Sequence, residues 1–365
     1  MDGPSRDCRR EPESLNRVTH HEQFARQLAG PAPILALAPM QDVTHLPFWR
    51  VMARYGGADL YYTEYFRVHS TSNLESWIRE SIVQNPTGRP VIAQMIGNDI
   101  PALVRTAKQL QELPIVGVDL NLGCPAPVVY RKCAGGGLLR EPQRVDGILG
   151  ALREAVRVKF TVKTRLGFDS PDVFEELLPI FARHQIDLLT VHGRTVAEMY
   201  RSEVHYDYIA RAAAVLPCPV LANGNIDCVE RAEQLWREAG VRGLMIGRGA
   251  IRNPWLFEQI RAQLRGEPIK LPVGREVLEY IHALYESICD PSVREAAQVQ
   301  HMKAYLNFIG EGVEPTGRFL HDIRRVTTRT DFFRICAEHL EHDRPLRLDS
   351  SASQRRRDGV VLADF

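Results

Sequence analysis

Eight short apolar runs, each followed by a stretch with helical periodicity, repeat between residues 34 and 257. Apolar and β-branched residues dominate these runs, as is typical of strands buried on both faces of a parallel sheet. The predicted strands are 34–40, 60–66, 91–97, 117–123, 160–166, 188–194, 219–225 and 243–249. Helix-like segments between them include 101–113, 142–156, 171–184 and 226–239, several with proline at the first helical position. This repeat predicts an α/β fold with a parallel sheet.

Eight parallel βα units close naturally as a (β/α)8 TIM barrel. The main rival, an open doubly wound sheet, more often has roughly five to seven strands and a glycine-rich dinucleotide turn. No Gly-x-Gly-x-x-Gly sequence follows residues 34–40, so the barrel is favoured. The alternation stops near residue 266, and residues 274–345 show helical periodicity alone. We therefore predict a flexible extension over 1–30, a barrel over 31–268, an all-helical domain over 269–345 and a disordered tail over 346–365.

The composition excludes several classes of protein. Apolar residues make up 44% and charged residues 25% of the chain, as in ordinary globular proteins. No apolar run approaches the ~20 residues that cross a bilayer, so we expect no membrane association. Residues 1–13 are charged and lack the apolar core of a secretory signal. The net charge is only +1, so binding of a nucleic acid would need a local basic patch.

The cysteines indicate a reducing environment. There are seven, an odd number without short paired spacing, which argues against a disulfide framework and against a zinc ribbon. We therefore expect a cytoplasmic protein without a metal site.

The candidate site residues collect at the carboxyl ends of the predicted strands, which is where such barrels place their active sites. They are Ala38, Pro39, Met40, Gln94, Asn121, Cys124, Lys163, Arg165, His192, Asn223, Gly224, Asn225, Gly247 and Arg248. The loops after the seventh and eighth strands are glycine-rich, and such loops bind phosphate through backbone N–H groups. Because Arg248 adds a possible bidentate contact, we predict a phosphate site rather than two tight turns.

Cys124 lies just beyond the fourth predicted strand, between a glycine that permits a turn and a proline that stiffens it. This placement favours a chemical role, although a buried structural thiol, a metal ligand, a nucleophile and a general acid all remain open. No second Cys or His stands at metal-binding spacing, and no His–Asp pair is recognisable as a base. The glycines at 135–137 predict a mobile segment over the thiol. That segment also carries Cys133, a weaker candidate.

Three further residues allow both a functional and a structural interpretation. Lys163 could stabilise an anion or a reduced flavin ring, or form an ion pair with Asp119 or Glu64. Gln94 could bind the edge of a flat heterocycle or be a satisfied polar core residue. His192 could be a general acid, a phosphate contact or a core histidine.

Eight motifs together carry a family resemblance. They are Ala38-Pro39-Met40, Thr63-Glu64, Ala-Gln-Met-Ile-Gly at 93–97, Asp-Leu-Asn-Leu-Gly-Cys-Pro at 119–125, Val-Lys-Thr-Arg-Leu-Gly at 162–167, Val-His-Gly-Arg-Thr at 191–195, Ala-Asn-Gly at 222–224 and Met-Ile-Gly-Arg-Gly at 245–249. The chain resembles the bacterial type of the tRNA-dihydrouridine synthases, FMN-dependent enzymes that reduce uridines in tRNA. The resemblance runs from about residue 34 to 257, and more weakly to about 340. Gly-Cys-Pro together with His-Gly-Arg-Thr is specific to this family.

The resemblance implies an oxidoreductase with FMN as cofactor, NADPH as reductant and tRNA as substrate. A uracil flipped out of the D-loop would receive a hydride from N5 of FMN at C6 and a proton from Cys124 at C5, while Asn121 holds the base. The implied cofactor-binding residues are Ala38, Pro39, Met40, Gln94, Lys163 and His192 around the ring, and Asn223, Gly224, Asn225, Gly247 and Arg248 around the phosphate.

Two basic segments are candidates for contact with tRNA. Many family members carry a lysine shortly after Gly-Cys-Pro, and here we expect Arg131 and Lys132 to supply that charge. In the helical domain, five arginines stand between residues 318 and 334, among them Arg324 and Arg325. They predict a tRNA-binding stripe on a monomeric protein, with a solvated helix face as the alternative.

Two other functions compete with a tRNA-uridine reductase. A flavin barrel acting on free pyrimidines would not need the helical domain and its arginines. A catalytically inactive RNA-binding barrel would not need Cys124, Lys163 and both phosphate loops.

Overall fold

A closed barrel of parallel strands forms the centre of the computed structural model, which describes residues 18–314 and 316–350. The strands are β1 Ile34–Leu37, β2 Leu60–Tyr62, β3 Phe66–Arg67, β4 Val91–Ile96, β5 Gly117–Leu122, β6 Lys159–Arg165, β7 Leu188–His192, β8 Val220–Asn223 and β9 Gly243–Ile246. Strand β1 pairs with β2 and β9, and β2 also pairs with β4, so the sheet closes. The short β3 pairs with β4 beyond the end of β2 and continues its line. The predicted eight-stranded barrel is therefore confirmed.

Helices cover the barrel and continue beyond it. They are α1 His20–Ala29, α2 Leu46–Met52, α3 Ser76–Gln84, α4 Ile100–Leu110, α5 Pro127–Tyr130, α6 Pro142–Ala155, α7 Val173–Arg183, α8 Tyr206–Val215, α9 Val229–Glu238, α10 Arg248–Arg252, α11 Leu256–Arg265, α12 Gly274–Ile288, α13 Glu295–Val313, α14 Arg318–Ile323 and α15 Arg329–Leu340. The predicted helices correspond to α4, α6, α7 and α9. The last four form the helical region that the sequence predicts after the barrel. No helix in the described part of the chain is long and apolar enough to cross a bilayer.

The barrel lumen is apolar at its amino end and polar at its carboxyl end. Because alternate residues of a strand face the same side, each strand contributes both kinds of residue. In β7, for example, Leu188 joins the apolar cluster, whereas Thr190 and His192 follow it toward the carboxyl end and are buried polar residues. The polar side chains thus collect where the predicted active site lies.

Residues 18–30 do not behave as the predicted flexible extension. They form α1, whose Phe24 is 1% exposed and packs into the apolar cluster of the barrel lumen. Arg242 fixes this helix by donating hydrogen bonds to the backbone carbonyls of Gln27, Leu28 and Ala32. An apolar barrel end needs a cover, and α1 supplies it. Residues 1–17 lie outside the described residues.

The first residues of the predicted disordered tail also pack against the protein. Leu348 is fully buried, and its backbone lies so close to Gly312 of α13 that a Cβ there would stand 2.7 Å from it. The N–H of Leu346 donates to the carbonyl of Pro272. The helical region therefore extends to about residue 350, and residues 351–365 lie outside the described residues.

Side-chain hydrogen bonds connect the helical region to the barrel loops. Tyr280 of α12 donates to the carbonyl of Ile251, at 2.9 Å. Arg252 is 4% exposed and donates to the carbonyl of Phe308 at 3.1 Å, and it forms an ion pair with Glu311. Since α10 begins at Arg248, directly after Gly247, the helical region is tied to a predicted phosphate loop.

Candidate active site

The strand register places the predicted site residues side by side. Asn121 pairs with Lys163, Arg165 with His192, and His192 with Asn223. Gln94 lies within β4, where it pairs with Asp119, and the remaining predicted residues follow the ends of β1, β5, β8 and β9. Residues from separate parts of the sequence are thus brought to one opening at the carboxyl end of the barrel.

A chain of hydrogen bonds connects a buried carboxylate to the backbone of Cys124. The amide of Gln94 donates to Asp119 (2.8 Å) and accepts from the amide of Asn121 (2.9 Å). Oδ1 of Asn121 accepts from the N–H groups of Gly123 (3.0 Å) and Cys124 (2.9 Å). Asn121 therefore shapes the turn that carries the thiol, and Gln94 is a satisfied polar core residue whatever else it contacts.

Cys124 itself is partly exposed, whereas Asn121, Leu122 and Gly123 before it are buried. Tyr65 lies beside it: burial, and then the neighbouring thiol of Cys124, raise the pKa of the phenol to about 12. A partly exposed thiol at the end of a strand, with a protonated phenol beside it, can exchange a proton with a bound molecule.

The glycines after Cys124, for which the sequence predicts a mobile segment, are buried in the structure. Gly135 adopts φ +54°, and a Cβ there would lie 3.1 Å from the Cβ of Cys124. The N–H of Gly136 donates to the carbonyl of Cys124, at 3.2 Å. These glycines allow one loop to pack closely against the residue that carries the thiol.

Lys163 binds a neutral partner instead of the carboxylates considered for it. Its Nζ donates to Oδ1 of Asn223 at 3.2 Å, and Asn223 in turn donates to the carbonyl of Met245 at 2.8 Å. Burial, followed by the charge of Arg165, lowers the pKa of Lys163 to about 8, although Asp119 opposes this shift. Lys163 therefore forms no ion pair with any of the described residues.

Positive charge dominates the surroundings of His192. Burial holds the pKa of this imidazole well below its usual range, and four cationic side chains act in the same direction. They are Arg165, Lys163, Arg194 and Arg248. The ring is therefore neutral, and its buried Nδ1 has no hydrogen-bond partner in the described chain. Such a concentration of cations favours an anionic ligand.

The two predicted phosphate loops lie against each other. Oδ1 of Asn225 accepts hydrogen bonds from Arg248 (3.0 Å) and from Arg194 (3.3 Å). Gly224 has φ +123°, which disfavours any other residue, and a Cβ on Gly247 would stand 3.1 Å from the sulfur of Met40. The glycines keep side chains out of the loops while two guanidinium groups face them, so the donor set fits a phosphate.

Tyr200 is a residue that the sequence does not point to. Its ring is 49% exposed and lies beneath the guanidinium groups of Arg248 (4.8 Å to the ring centroid) and Arg165 (5.2 Å). His192 meets it edge-on, at 6.2 Å. It lies in an irregular loop after β7, where no periodicity marks which side chains turn toward the opening.

Glu64 is also missed as a site residue, although it belongs to a recognised motif. It is 2% exposed, its Oε1 accepts from the N–H of Val43 at 3.1 Å, and its Oε2 has no partner among the described residues. Burial raises the pKa of this carboxyl to about 7. Glu64 thus fixes the turn that follows Met40.

The predicted tRNA-contacting residues are exposed but differ in their partners. Arg131 and Lys132 lie at the end of α5. In the helical region, Arg324 donates to Asn307 at 3.0 Å and Arg325 to the carbonyl of His321 at 3.2 Å.

Other arginines of the same stripe are engaged differently. Arg318 and Arg334 form ion pairs with nearby acidic side chains, and Arg329 covers the rings of Tyr285 and Phe333. Among the described residues, Arg324 and Arg325 therefore combine exposure with the lack of a carboxylate partner and, unlike Arg329, do not cover aromatic rings.

Comparisons with known proteins agree with this geometry. The sequence model of the family described as dihydrouridine synthase matches residues 36–342. A tRNA-dihydrouridine synthase B from Pseudomonas putida is 36% identical over 78% of this chain and 86% of its own length. One from Pseudomonas syringae pv. tomato is 36% identical over 69% of this chain and 76% of its own length. A tRNA-dihydrouridine(16) synthase from Neisseria meningitidis is 28% identical over 82% of this chain and 93% of its own length.

Proposed function

This chain belongs to the dihydrouridine synthase family, and we propose from that premise that it reduces the C5=C6 bond of uridines in the D-loop of tRNA. It is an oxidoreductase of tRNA uridine, as its family membership indicates. The observation that carries the reaction is the placement of Cys124. Its thiol is partly exposed at the same opening that holds the cationic loops, on a turn fixed by Asn121.

The family is generally flavin-dependent, and the cofactor we propose is FMN, reduced by NADPH. When bound, reduced FMN supplies the hydride that C6 of the uracil accepts. Asn223, Gly224, Asn225, Gly247 and Arg248 would hold its phosphate, because the glycines leave room and Arg248 has no carboxylate partner among the described residues. Ala38, Pro39, Met40, Gln94, Lys163 and His192 would surround its ring.

Lys163 and His192 have distinct electrostatic roles in this proposal. The ammonium group of Lys163 would stabilise negative charge on the ring, since its recorded contact is the neutral Asn223. His192 would offer a neutral imidazole whose Nδ1 has no hydrogen-bond partner among the residues that the structure describes.

Cys124 would deliver the proton to C5 of the uracil, and Asn121 would hold the base. A thiol is suited to this step because it donates its proton in a single transfer and needs no metal. The phenol of Tyr65 stays protonated at neutral pH and lies beside Cys124. It would therefore be next to the thiolate that remains once Cys124 has donated its proton. The uracil would reach the opening by base flipping, which costs a few kcal/mol and least in an unstacked loop.

Arg131 and Lys132 beside the opening and Arg324 and Arg325 on the helical region would contact the phosphates of tRNA. Both pairs are exposed. A monomeric state and a cytoplasmic location complete the proposal, the latter because tRNA is the substrate.

The experiment compares the purified enzyme with Cys124→Ala on a tRNA transcript lacking modifications. With NADPH, we expect the unaltered protein to be yellow and to form dihydrouridine, detected by mass spectrometry of digested tRNA. Cys124→Ala should keep its flavin and the reduction of that flavin by NADPH, yet form dihydrouridine slower by orders of magnitude. Cys133→Ala, on the neighbouring loop, should remain active. Full activity in Cys124→Ala would rule out the proton-donor role, and a colourless unaltered protein would rule out the flavin.

A further inference from the structure

The carboxylate of Asp119 is fully buried, and hydrogen bonds join it to the Cys124 turn through two amides. Its Oδ2 accepts from Gln94 at 2.8 Å, and its Oδ1 accepts from the hydroxyl of Thr161 at 2.5 Å. Gln94 is fully buried too, and Asn121 is 7% exposed. Asp119, Gln94 and Asn121 thus form a line of hydrogen bonds that begins inside the barrel and reaches its opening at Asn121.

The chemistry of both ends sets the direction of this line. Backbone N–H groups can only donate, so Oδ1 of Asn121 must face the N–H groups of Gly123 and Cys124. Nδ2 of Asn121 then faces Gln94, whose Oε1 accepts, and Nε2 of Gln94 faces Asp119. A carboxylate can only accept, so neither amide can turn over without placing two like groups in contact.

We propose that Asp119 is a positioning residue that keeps Asn121 a hydrogen-bond donor toward the substrate, so that the site selects a carbonyl oxygen at C4 of the pyrimidine. This inference rests on the proposed function. The Oδ1 atom of Asn121 is already occupied by two backbone donors. Its second N–H has no acceptor among the described residues, and it is the polar group that Asn121 has left to offer.

The consequence is discrimination between uridine and cytidine. Uracil carries an acceptor at C4, whereas cytosine carries an amino group, which donates. An amino group facing the N–H of Asn121 would leave two donors unpaired in a nearly buried site, and such sites reject the wrong partner strongly. Turning the amide of Asn121 would relieve this clash. The N–H groups of Gly123 and Cys124 oppose that turn at one end of the amide, and Asp119, acting through Gln94, opposes it at the other.

The first test is a substrate substitution on the unaltered holoenzyme. A tRNA with 4-thiouridine at the target position presents a sulfur, which is a weak acceptor, to Asn121. We expect its KM to rise about tenfold, the loss of one neutral hydrogen bond, while reduction of the flavin by NADPH is unchanged. A tRNA with 2-thiouridine at the same position is the matched control and should keep its KM. An unchanged KM for the 4-thio substrate, or an equal effect of both, would overturn the proposal.

The second test reverses this line of hydrogen bonds with two substitutions that together leave the net charge unchanged. Asn121→Asp places an acceptor against Oε1 of Gln94, so we expect a lower Tm together with a KM at least tenfold higher. Adding Asp119→Asn supplies an N–H donor at residue 119. The amide of Gln94 can then turn, so that it accepts from residue 119 and donates to the new carboxylate at residue 121, and every internal hydrogen bond re-forms. The double variant should regain its Tm but not its KM for uridine in tRNA. Recovery of both would show that Asn121 is merely structural.

The two proposals fail differently. If the unaltered enzyme forms no dihydrouridine from unmodified tRNA, the proposed function is wrong. If it does, and the 4-thio and 2-thio substrates behave alike, the orientation of Asn121 alone is wrong.

Discussion

The hydroxyl of Tyr305 in α13 donates a hydrogen bond to the backbone carbonyl of Val43, at 2.8 Å and across 262 residues of sequence. The N–H of the same Val43 donates to Glu64 at the end of the second barrel strand. The turn over 40–44 is therefore held by the barrel on one side and by the helical region on the other. Since Met40 begins this turn, the proposed flavin site and the helical region are mechanically linked.

Tyr305→Phe should weaken that link. The ring stays buried, but the carbonyl of Val43 loses its donor, so we expect unfolding free energy to fall by about 1 kcal/mol. The dissociation constant of FMN should rise several-fold, because the turn beside Met40 is held from one side alone. Denaturant unfolding and flavin titration measure the two effects. Tyr285→Phe, whose hydroxyl bonds Gln298 within the helical region, is the control: it should lose stability without losing flavin. Equal flavin affinity in both variants would contradict the link.

Glu64→Gln should stabilise the protein, and more so as the pH rises. Burial raises the pKa of Glu64 from 4.5 to about 7, so the folded state prefers the neutral carboxyl. Ionisation in the unfolded chain therefore removes stability between pH 4.5 and about 7, by about 3 kcal/mol in total. Glutamine keeps the acceptor for Val43 but never ionises.

Thermal melts of this variant at pH 5 and pH 8 test the sign. The gain in Tm over the unaltered protein should be small at pH 5 and larger at pH 8. Glu154→Gln, on the exposed face of α6, should show no such difference. A gain independent of pH would mean that Glu64 is ionised throughout.

Periodicity in the sequence predicts the strands, and strand ends in turn predict where Gln94, Lys163 and His192 converge. This works because a parallel barrel places every carboxyl end on one face, whatever the loops do. The roles of Asp119 and Glu64 could not be predicted in the same way. Each depends on a partner from another strand or loop, and the sequence alone does not specify which polar groups meet.

The glycines and the chain ends show a second limit of sequence-based reasoning. A run of glycines is compatible both with mobility and with close packing, and Gly135 and Gly136 are packed because Cys124 lies against them. Phe24 belongs to a polar-looking segment, and its burial follows from the open apolar end of the barrel. In both cases the deciding contact lies elsewhere in the chain.

Replacing Arg324 and Arg325 by glutamate should weaken tRNA binding and leave flavin content unchanged. Neither guanidinium group has a carboxylate partner among the described residues, so both charges are available to phosphates. We expect affinity to fall at least tenfold and the slope of log affinity against log salt to decrease by about two. Filter binding at several salt concentrations measures both.

The matched control for this pair is Arg318→Glu with Arg334→Glu. It makes the same change in net charge in the same helical region, but at arginines already in ion pairs with Asp322, Asp331 and Glu338. Its effect on the salt slope should be smaller. Equal slopes in the two double variants would show that general charge, rather than a specific contact, attracts the tRNA.

Gly135→Ala should displace the thiol that we propose as proton donor. The backbone at this residue has φ +54°, and the new Cβ would lie 2.8 Å from Cδ1 of Ile96 and 3.1 Å from Cβ of Cys124. We expect a stability loss of about 1–3 kcal/mol, from backbone strain and overpacking together. Dihydrouridine formation should slow at least tenfold while the flavin is retained.

Gly88→Ala separates strain from displacement. Gly88 has φ +62°, so the backbone cost is similar, but a Cβ there meets nothing within 4 Å. This variant should lose about 1 kcal/mol and keep its turnover. Single-turnover rates of dihydrouridine formation, measured on both variants with pre-reduced enzyme, distinguish backbone strain from displacement of the thiol. A slow turnover in Gly135→Ala alone assigns the effect to the position of Cys124. Equal rates in the two variants would mean that the packed glycines hold the loop together without positioning the thiol.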